Sequence, residues 1–148
     1  MYFKNLKQGF FKPRNPQKYS GDVKNIVYRS GLELNFFHYM DLNKYVLKWH
    51  SEETVVKYIS IDGKQHRYFL DLWCRVQDKT GNIKEYICEI KPFAFTQPPP
   101  KQQRETKLWR EKVKTWLINQ MKWESAKQYA EKHGQEFKIL TERDLKLK

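Results

Sequence analysis

The sequence is short of cysteine and of long apolar runs, and each shortage excludes a class of protein. Its 148 residues contain only Cys74 and Cys88, too few for a disulfide scaffold or a structural zinc site and typical of a reducing compartment. No run of apolar residues exceeds three, whereas a membrane helix needs about 18 or more and a signal peptide a core of about 7–15. We therefore expect neither a transmembrane nor a secreted protein.

Acidic residues are also scarce, since 17 Asp and Glu stand against 29 Lys and Arg and leave a formal net charge of +12. The excess lies in residues 1–24 and 101–127, each net +5, whereas residues 25–100 and 128–148 are each net +1. This distribution indicates a polyanionic partner, and nucleic acid is the obvious candidate because phosphate neutralisation supplies most sequence-independent affinity. The alternative is a basic protein without such a partner. Rings on which bases could stack interleave the N-terminal charges: Phe3, Phe10, Phe11 and Tyr19.

Aromatic residues make up 16% of the chain. This is too many for a disordered polycation, so we expect one folded domain over residues 1–148. Residues 1–24 form a basic, aromatic N-terminal arm that either becomes ordered on binding or lies on the domain, and residues 25–145 form the core. Apolar periodicity, caps and turns predict the order α-β-β-β-α-β, an α/β fold around a mixed sheet. The predicted helices span residues 30–41 and 104–133, the second broken near Asn119, and strands are predicted over residues 45–49, 54–61 and 136–140.

The most informative stretch, residues 66–91, predicts a hairpin of two antiparallel strands with its loop at residues 78–82. Apolar residues alternate with others along the first strand, so that one face is apolar with period 2. That face comprises Tyr68, Leu70, Leu72, Cys74 and Val76. The second strand directs Tyr86, Cys88 and Ile90 to the core, and the two cysteines are expected to lie diagonally as buried thiols.

The register of this hairpin brings two acids together. With the loop at residues 78–82, Asp71 lies directly opposite Glu89, and Phe69 lies opposite Lys91. The Cβ atoms of directly opposed residues are about 4.5–5.5 Å apart, and like charges placed there repel. Two facing carboxylates therefore need a cation between them, and magnesium prefers carboxylate oxygens together with waters and a substrate phosphate.

The pair predicts a site for phosphodiester hydrolysis. Asp71 and Glu89 would hold Mg²⁺, for which Mn²⁺ should substitute, with the main-chain carbonyl of Ile90 as a further ligand. Lys91, which shares the face of Glu89, would orient the attacking water or stabilise charge developing on phosphorus. The alternative is an exposed charged face with a cross-strand salt bridge.

Glu33 has two open interpretations. It stands three residues after Ser30, as in a capping box, where the Glu reaches back to the backbone of the cap. It could equally be a third acid that points at the metal. Glu52 and Glu53 are expected only to solvate the start of a strand.

Several stretches resemble known nucleases. The pattern Asp71…Glu89-x-Lys91 resembles the PD-(D/E)xK superfamily, with Leu70 in place of its proline. Other stretches, from about Gly9 to Leu145, resemble the head-completion nucleases of tailed phages. They are Phe11-Lys-Pro-Arg-Asn-Pro16, Lys18-Tyr-Ser-Gly-Asp22, Tyr28-Arg-Ser30 with Glu33, Trp49-His-Ser-Glu-Glu53, His66-Arg-Tyr-Phe-Leu-Asp71, Glu89-Ile-Lys-Pro92, Thr96-Gln-Pro-Pro99, Asn119-Gln-Met-Lys-Trp123 with Ala126, and Phe137-Lys-Ile-Leu-Thr-Glu142.

This resemblance implies a restriction-endonuclease-like, three-layer fold with residues 25–145 as its catalytic core. It implies a metal-dependent endonuclease that acts on packaged DNA or its end before the tail joins. It favours a functional role for Glu33, because the acid of the first helix often assists the metal in that superfamily. The implied partners are DNA and phage head, portal or neck proteins, without a membrane or a small-molecule cofactor. The implied location is the host cytoplasm during assembly, or the virion.

Two alternatives remain open from the sequence. One is a structural head-completion factor that keeps only a vestigial site, and the other is a junction-resolving or transposon-end nuclease of the same fold. In each case we expect DNA contacts from basic side chains of both zones and of the segment between them. The residues concerned are Lys12, Arg14, Lys18, Arg29, Arg67, Lys107, Arg110 and Lys114.

Overall fold

The structure is a computed structural model that describes residues 8–145. Its strands and helices follow the chain in the order β1–β2–α1–β3–β4–β5–β6–β7–α2–β8–α3. Their bounds are β1 Gly9–Phe10, β2 Val27–Tyr28, α1 Gly31–Leu42, β3 Val46–His50, β4 Val55–Ile59, β5 Gln65–Phe69, β6 Leu72–Gln77, β7 Ile83–Ile90, α2 Lys107–Lys132, β8 Glu136–Leu140 and α3 Glu142–Leu145. Over these described residues, none of the helices is both long enough and apolar enough to cross a membrane.

The central sheet has four strands in the order β3-β6-β7-β8. The first two neighbouring pairs are antiparallel and the last, β7 with β8, is parallel. Strands β4 and β5 form a separate hairpin, and β1 and β2 pair with each other. The predicted α/β class with a mixed sheet is therefore confirmed.

One predicted strand proves to be two strands with a break between them. Strand β5 ends at Phe69, which pairs with Val55 and not, as predicted, with Lys91. Strand β6 begins at Leu72 and belongs to the central sheet. At the break, the N–H of Leu70 still donates to the carbonyl of Thr54, next to β4, at 2.9 Å. Two residues later, Leu72 already pairs with Cys88 in the central sheet. The predicted single apolar face is therefore wrong, since Tyr68 and Leu70 pack into one core and Leu72 and Cys74 into another.

Helix α2 is continuous, so the break predicted near Asn119 is also wrong. Asn119 is a poor helix former, but it is buried in the body of the helix, where packing outweighs its weak propensity. The ends of α2 follow local rules. The hydroxyl of Thr106 accepts from the N–H of Trp109 at the start, and Gly134 supplies a left-handed residue (φ +68°) just past the end.

The two faces of the central sheet are covered by different elements, which gives two cores. The first lies between the sheet, helix α1 and residues 8–30, and its members include Phe11, Phe37, Trp49, Leu72 and Cys88. The second lies between the opposite face, the β4–β5 hairpin and α2, and its members include Tyr68, Leu70, Trp73, Ile87 and Trp123. Both faces of the central sheet are therefore covered, and Glu89 on β7 is only 9% exposed.

Residues 8–24 lie on the domain. Phe11 is buried and meets Phe37 and Trp49 edge to face, with ring centroids 5.8 and 5.9 Å apart. Tyr19 is also buried, its ring 4.7 Å from that of Trp49. Neither ring is therefore accessible to a nucleic-acid base. Phe10 is exposed, and Phe3 lies outside the described residues.

The carboxylate of Asp41 ties this segment to the end of α1. It is 1% exposed and accepts hydrogen bonds from the N–H groups of Arg14 (2.7 Å) and Asn15 (2.9 Å). Because removing this buried carboxylate leaves two part-buried backbone donors without their acceptor, Asp41→Ala is expected to lower the free energy of unfolding by about 3 kcal/mol. Urea denaturation measures this change, with Asp22→Ala on the exposed neighbouring loop as the control. A loss below about 1 kcal/mol would show that the segment is held mainly by its rings.

Candidate active site

The β6–β7 hairpin has the register predicted from the sequence. Leu72 pairs with Cys88 and Gln77 with Ile83, and the N–H of Asp78 donates to the carbonyl of Asn82 across the loop. Cys74 and Cys88 occupy diagonal positions as free, buried thiols, as predicted. This register fixes which side chains meet at the open end of the hairpin.

Asp71 precedes the first residue of β6 and so lies beside the last residues of β7. Its Oδ2 accepts a hydrogen bond from the N–H of Ile90 at 2.7 Å. Glu89, which is only 9% exposed, points to the α2 side, where its Oε2 accepts from the indole N–H of Trp123 at 3.0 Å. The sheet and helix α2 therefore hold two carboxylates close together.

The electrostatics of the pair show how closely the two acids interact. Burial, together with Glu89, raises the pKa of Asp71 from 3.8 to about 9, and Glu33 adds to the effect. The hydrogen bond from Ile90 opposes this shift because it favours the carboxylate form. A cation bound here would offset both the burial of the Asp71 charge and its repulsion by Glu89, so the pair favours a cation.

Glu33 both caps α1 and faces the acids. Its N–H donates to the hydroxyl of Ser30 at 3.1 Å, and its Oε1 accepts from the N–H of Arg29 at 3.1 Å. Burial raises the pKa of Glu33, and the charges of Glu52 and Glu89 raise it further. The carboxylate of Glu33 thus reaches back to Arg29, one residue before the Ser30 cap to which the predicted capping box would have joined it, and its metal-facing role stays a prediction.

Lys91 directly follows β7, and its side chain is half-buried. Its N–H donates to the carbonyl of Leu140 at 2.9 Å, which extends the pairing of β7 with β8 by one residue. This bond fixes the backbone from which the amine projects, two residues after Glu89. The preceding residue, Ile90, donates its N–H to Asp71. The assignment of the Ile90 carbonyl as a metal ligand stays a prediction.

Glu52 is a part of this region that the sequence interpretation missed. It continues β3 beyond His50, which pairs with Trp73, and so approaches the level of Asp71. Its backbone has φ +56°, and its carboxylate binds Arg29 Nε at 2.7 Å. Non-glycine residues with positive φ are uncommon, and strained backbones cluster at functional sites. The signal in the sequence was the stretch Trp49-His-Ser-Glu-Glu53.

Two aromatic residues near the acids were also missed. Trp123 on α2 donates to Glu89, and Tyr68 on β5 places its ring beside the same carboxylates. Both residues belong to the nuclease-like stretches, but their contacts depend on how α2 and the β4–β5 hairpin pack. Neither contact follows from spacing along the chain.

Comparisons with known proteins agree with this geometry. Residues 43–142 match the family described as "TnsA-like endonuclease N terminal". The chain belongs to this family. It is also 41% identical over 143 residues to a protein named head completion nuclease of Enterobacteria phage T4, with 93% of each chain covered. No solved structure matches the chain. The resemblance to nucleases with a restriction-endonuclease-like fold is thereby confirmed.

The residues of this TnsA-like endonuclease fit a magnesium ion. Within residues 8–145, no three His, Cys, Asp or Glu side chains are grouped closely enough to hold a metal by themselves. Asp71 and Glu89 instead supply two carboxylates, and Mg²⁺ is usually bound through one or two carboxylates with several waters and substrate phosphates. Their mutual repulsion is the electrostatic condition that a divalent cation relieves.

The basic residues predicted to touch DNA have different surroundings in this TnsA-like endonuclease. Lys18 is engaged within the fold, since its Nζ donates to the carbonyls of Asp41 and Asn43 at 3.0 and 2.8 Å. Arg29 is paired with Glu52. The others are exposed: Lys12, Arg14, Arg67, Lys107, Arg110 and Lys114.

Helix α2 explains why its basic residues are accessible. Its buried residues begin only at Asn119 and its packing against the second core at Ile118, so the part from Lys107 to Leu117 precedes that core. At 1.5 Å per residue the whole helix is about 39 Å long. The second basic zone therefore stands on a rigid, solvent-facing element. On the β4–β5 hairpin, the guanidinium of Arg67 lies 5.5 Å from the centroid of the Phe69 ring, four residues before Asp71 in the chain.

Proposed function

We propose that this chain is a Mg²⁺-dependent endodeoxyribonuclease that acts in phage head completion, on packaged DNA or its end before tail attachment. The observation that carries the proposal is the buried pair Asp71 and Glu89, held at the end of a sheet in a TnsA-like endonuclease. The name of the T4 relative supplies the context of head completion. The formal charge of +12 supports DNA as the substrate.

The chain's own residues would divide the work as follows. Asp71 and Glu89 hold the metal, with Ile90 contributing its carbonyl, and Trp123 keeps Glu89 in place through its indole N–H. When bound, Mg²⁺ supplies Lewis-acid stabilisation of the phosphodiester and lowers the pKa of water. Lys91 orients the attacking water or stabilises negative charge on the phosphoryl oxygens.

Glu33 and Arg29 would complete the rim of the site. Glu33 adds a third acid at the start of α1, and the paired Glu52 keeps Arg29 extended beside it. The positive charge of Arg29 offsets part of the repulsion among the acids. We expect it to approach a DNA phosphate at the same edge.

The decisive experiment is a cleavage assay on linear duplex, single-stranded and four-way-junction DNA. Cleavage should appear with Mg²⁺ or Mn²⁺ and disappear with EDTA. Preference for the four-way junction would favour the junction-resolving alternative over head completion. No cleavage of any DNA by the folded protein with either metal would refute the nuclease proposal.

A structural head-completion factor with a vestigial site is the second candidate, and it is favoured by the part of the T4 relative's name that refers to head completion. It differs in one testable respect. An Asp71→Asn variant should then still yield infectious, tail-competent heads in a complementation assay. If catalysis is the function, the same variant should leave heads incomplete although the protein accumulates normally.

Basic residues on the exposed part of α2 should set the salt dependence of DNA binding. Each phosphate contact contributes about 0.9 to the slope of log K against log salt. Replacing Lys107, Arg110, Lys112 and Lys114 with Gln is expected to reduce that slope by up to about 3.6, as measured by fluorescence anisotropy with EDTA. The control replaces four exposed lysines elsewhere: Lys44, Lys64, Lys79 and Lys132. An unchanged slope would assign the zone to another partner.

A further inference from the structure

The hydroxyl of Tyr68 is a buried polar group that the proposed reaction has not yet used. Tyr68 lies on β5 and is only 5% exposed. Its ring packs edge to face against Tyr58, with centroids 6.5 Å apart, and Lys122 Nζ stands 5.5 Å from its centroid. Among residues 8–145 its hydroxyl makes no well-aligned hydrogen bond, although it lies near the carboxylate of Glu89 and the indole of Trp123.

This hydroxyl faces the carboxylate pair. Burial raises the pKa of Tyr68, and the negative charges of Glu89 and Asp71 raise it further. A phenol is in any case neutral near pH 7, because its ordinary pKa is about 10, so it acts as a hydrogen-bond donor or acceptor. Glu89 is already bonded by Trp123 and Asp71 by Ile90, so the hydroxyl adds a separate polar group to the site.

A purely structural role does not explain the hydroxyl. Buried polar groups in native proteins are nearly always hydrogen-bonded, and the exceptions often mark a functional role or a bound water or ion. Phenylalanine would fill the same apolar space between Tyr58 and Lys122 without burying an unpaired oxygen. The hydroxyl points instead to a partner that arrives with the substrate.

We propose that Tyr68 is a further catalytic residue, whose hydroxyl donates a hydrogen bond to the oxygen that Asp71 and Glu89 gather for reaction. That oxygen belongs either to the attacking water or to the scissile phosphodiester, and both are acceptors of the same kind. The inference rests on the proposed nuclease function. It assigns the β4–β5 hairpin a part in catalysis through a side chain on its inner face.

The test compares Tyr68→Phe with Tyr58→Phe. Tyr58 is the matched control because it is also buried on the hairpin and touches the same Lys122. Tyr68→Phe is expected to lower kcat by about tenfold or more, as the loss of one well-placed hydrogen bond in a transition state does, whereas Tyr58→Phe should stay within about twofold. Without metal, the Tm of Tyr68→Phe should equal or exceed that of the wild type, because no native hydrogen bond is lost.

Manganese titration without DNA distinguishes the two sources of oxygen. A weaker affinity of Tyr68→Phe for Mn²⁺, measured by calorimetry, would place the hydroxyl on a water held at the carboxylates. An unchanged affinity combined with the lower kcat would place it on the phosphodiester. Both results support the proposal.

Three results would overturn it. The first is near-wild-type kcat of Tyr68→Phe, and the second is an equal loss in Tyr58→Phe. The third is a lower Tm of metal-free Tyr68→Phe, which would show that the hydroxyl has a structural partner. If the wild type is active and any of these results is found, only the role of Tyr68 is refuted and the nuclease function stands. A wild type that neither cleaves DNA nor binds Mn²⁺ refutes the nuclease function and the role of Tyr68 with it.

Discussion

Asp71→Asn and Glu89→Gln are each expected to lower Mg²⁺-dependent DNA cleavage by about 10³-fold or more. Metal ions contribute several kcal/mol of charge stabilisation to such transition states, and every 1.36 kcal/mol corresponds to a factor of ten in rate. Each substitution keeps the shape of the side chain but removes one of the two carboxylates that would bind the cation. The measurement is single-turnover cleavage of linear duplex at saturating Mg²⁺.

Glu85→Gln is the matched control for these variants. Glu85 lies on the same strand and the same face as Glu89, four residues earlier, but its carboxylate pairs with Arg75 at 3.0 Å. Because it is removed from Asp71, its replacement should leave the cleavage rate within about threefold of the wild type. Equal losses in Glu85→Gln and Glu89→Gln would show that general destabilisation causes the effect.

Asp71→Asn and Glu89→Gln should both fold. Asn and Gln remove the cost of burying an acid, and their amide oxygens can still accept from the N–H groups of Ile90 and Trp123. Replacing one member of a salt bridge would instead leave a charge unpaired. Circular dichroism and the Tm should therefore match or exceed those of the wild type. Robust cleavage by both folded variants would contradict the assignment of the site.

The β6–β7 hairpin and the meeting of the two acids could be predicted because both depend on local signals. The loop at residues 78–82 fixes the register of β6 and β7, and the register alone brings Asp71 beside Glu89. The capping signal of Ser30 likewise fixes the start of α1 and thereby the position of Glu33. These interactions join neighbours along the chain or across one turn.

The parts that could not be predicted depend on packing between distant elements. An alternating pattern continues through Leu70 and gives no sign that the chain leaves one hairpin and enters another sheet. The contacts of Trp123 and Tyr68 with the acids require the positions of α2 and of the β4–β5 hairpin, about which spacing is silent. Glu52 resembles an ordinary strand-end acid until its left-handed backbone and its pairing with Arg29 are seen.

The raised pKa of Asp71 predicts that the metal-free protein loses stability as the pH rises. The pKa of this carboxyl is about 9 in the folded protein, against an ordinary value of 3.8. Between these values the folded state holds a proton that the unfolded state has released, so raising the pH favours unfolding. One such proton contributes a slope of at most about 1.4 kcal/mol per pH unit.

The measurement is urea denaturation of the wild type and of Asp71→Asn from pH 5 to 8 with EDTA. As the pH rises from 5 to 8, the free energy of unfolding of the wild type should fall relative to that of Asp71→Asn, by up to about 4 kcal/mol. Asp78→Asn, in the exposed loop, is the control. Its carboxyl has a lowered pKa and is ionised in both states throughout this range, so it should add no slope.

Saturating divalent metal should oppose this loss of stability at higher pH. Binding to Asp71 requires the ionised carboxylate, so the stabilisation of the wild type by saturating Mg²⁺ should increase from pH 5 to 8 as the proton becomes easier to displace. Asp71→Asn should show little of this increase. If the wild type and the variant instead respond in parallel with and without metal, Asp71 carries its charge throughout. The raised pKa of Asp71, which marks its burial beside Glu89, would then be absent.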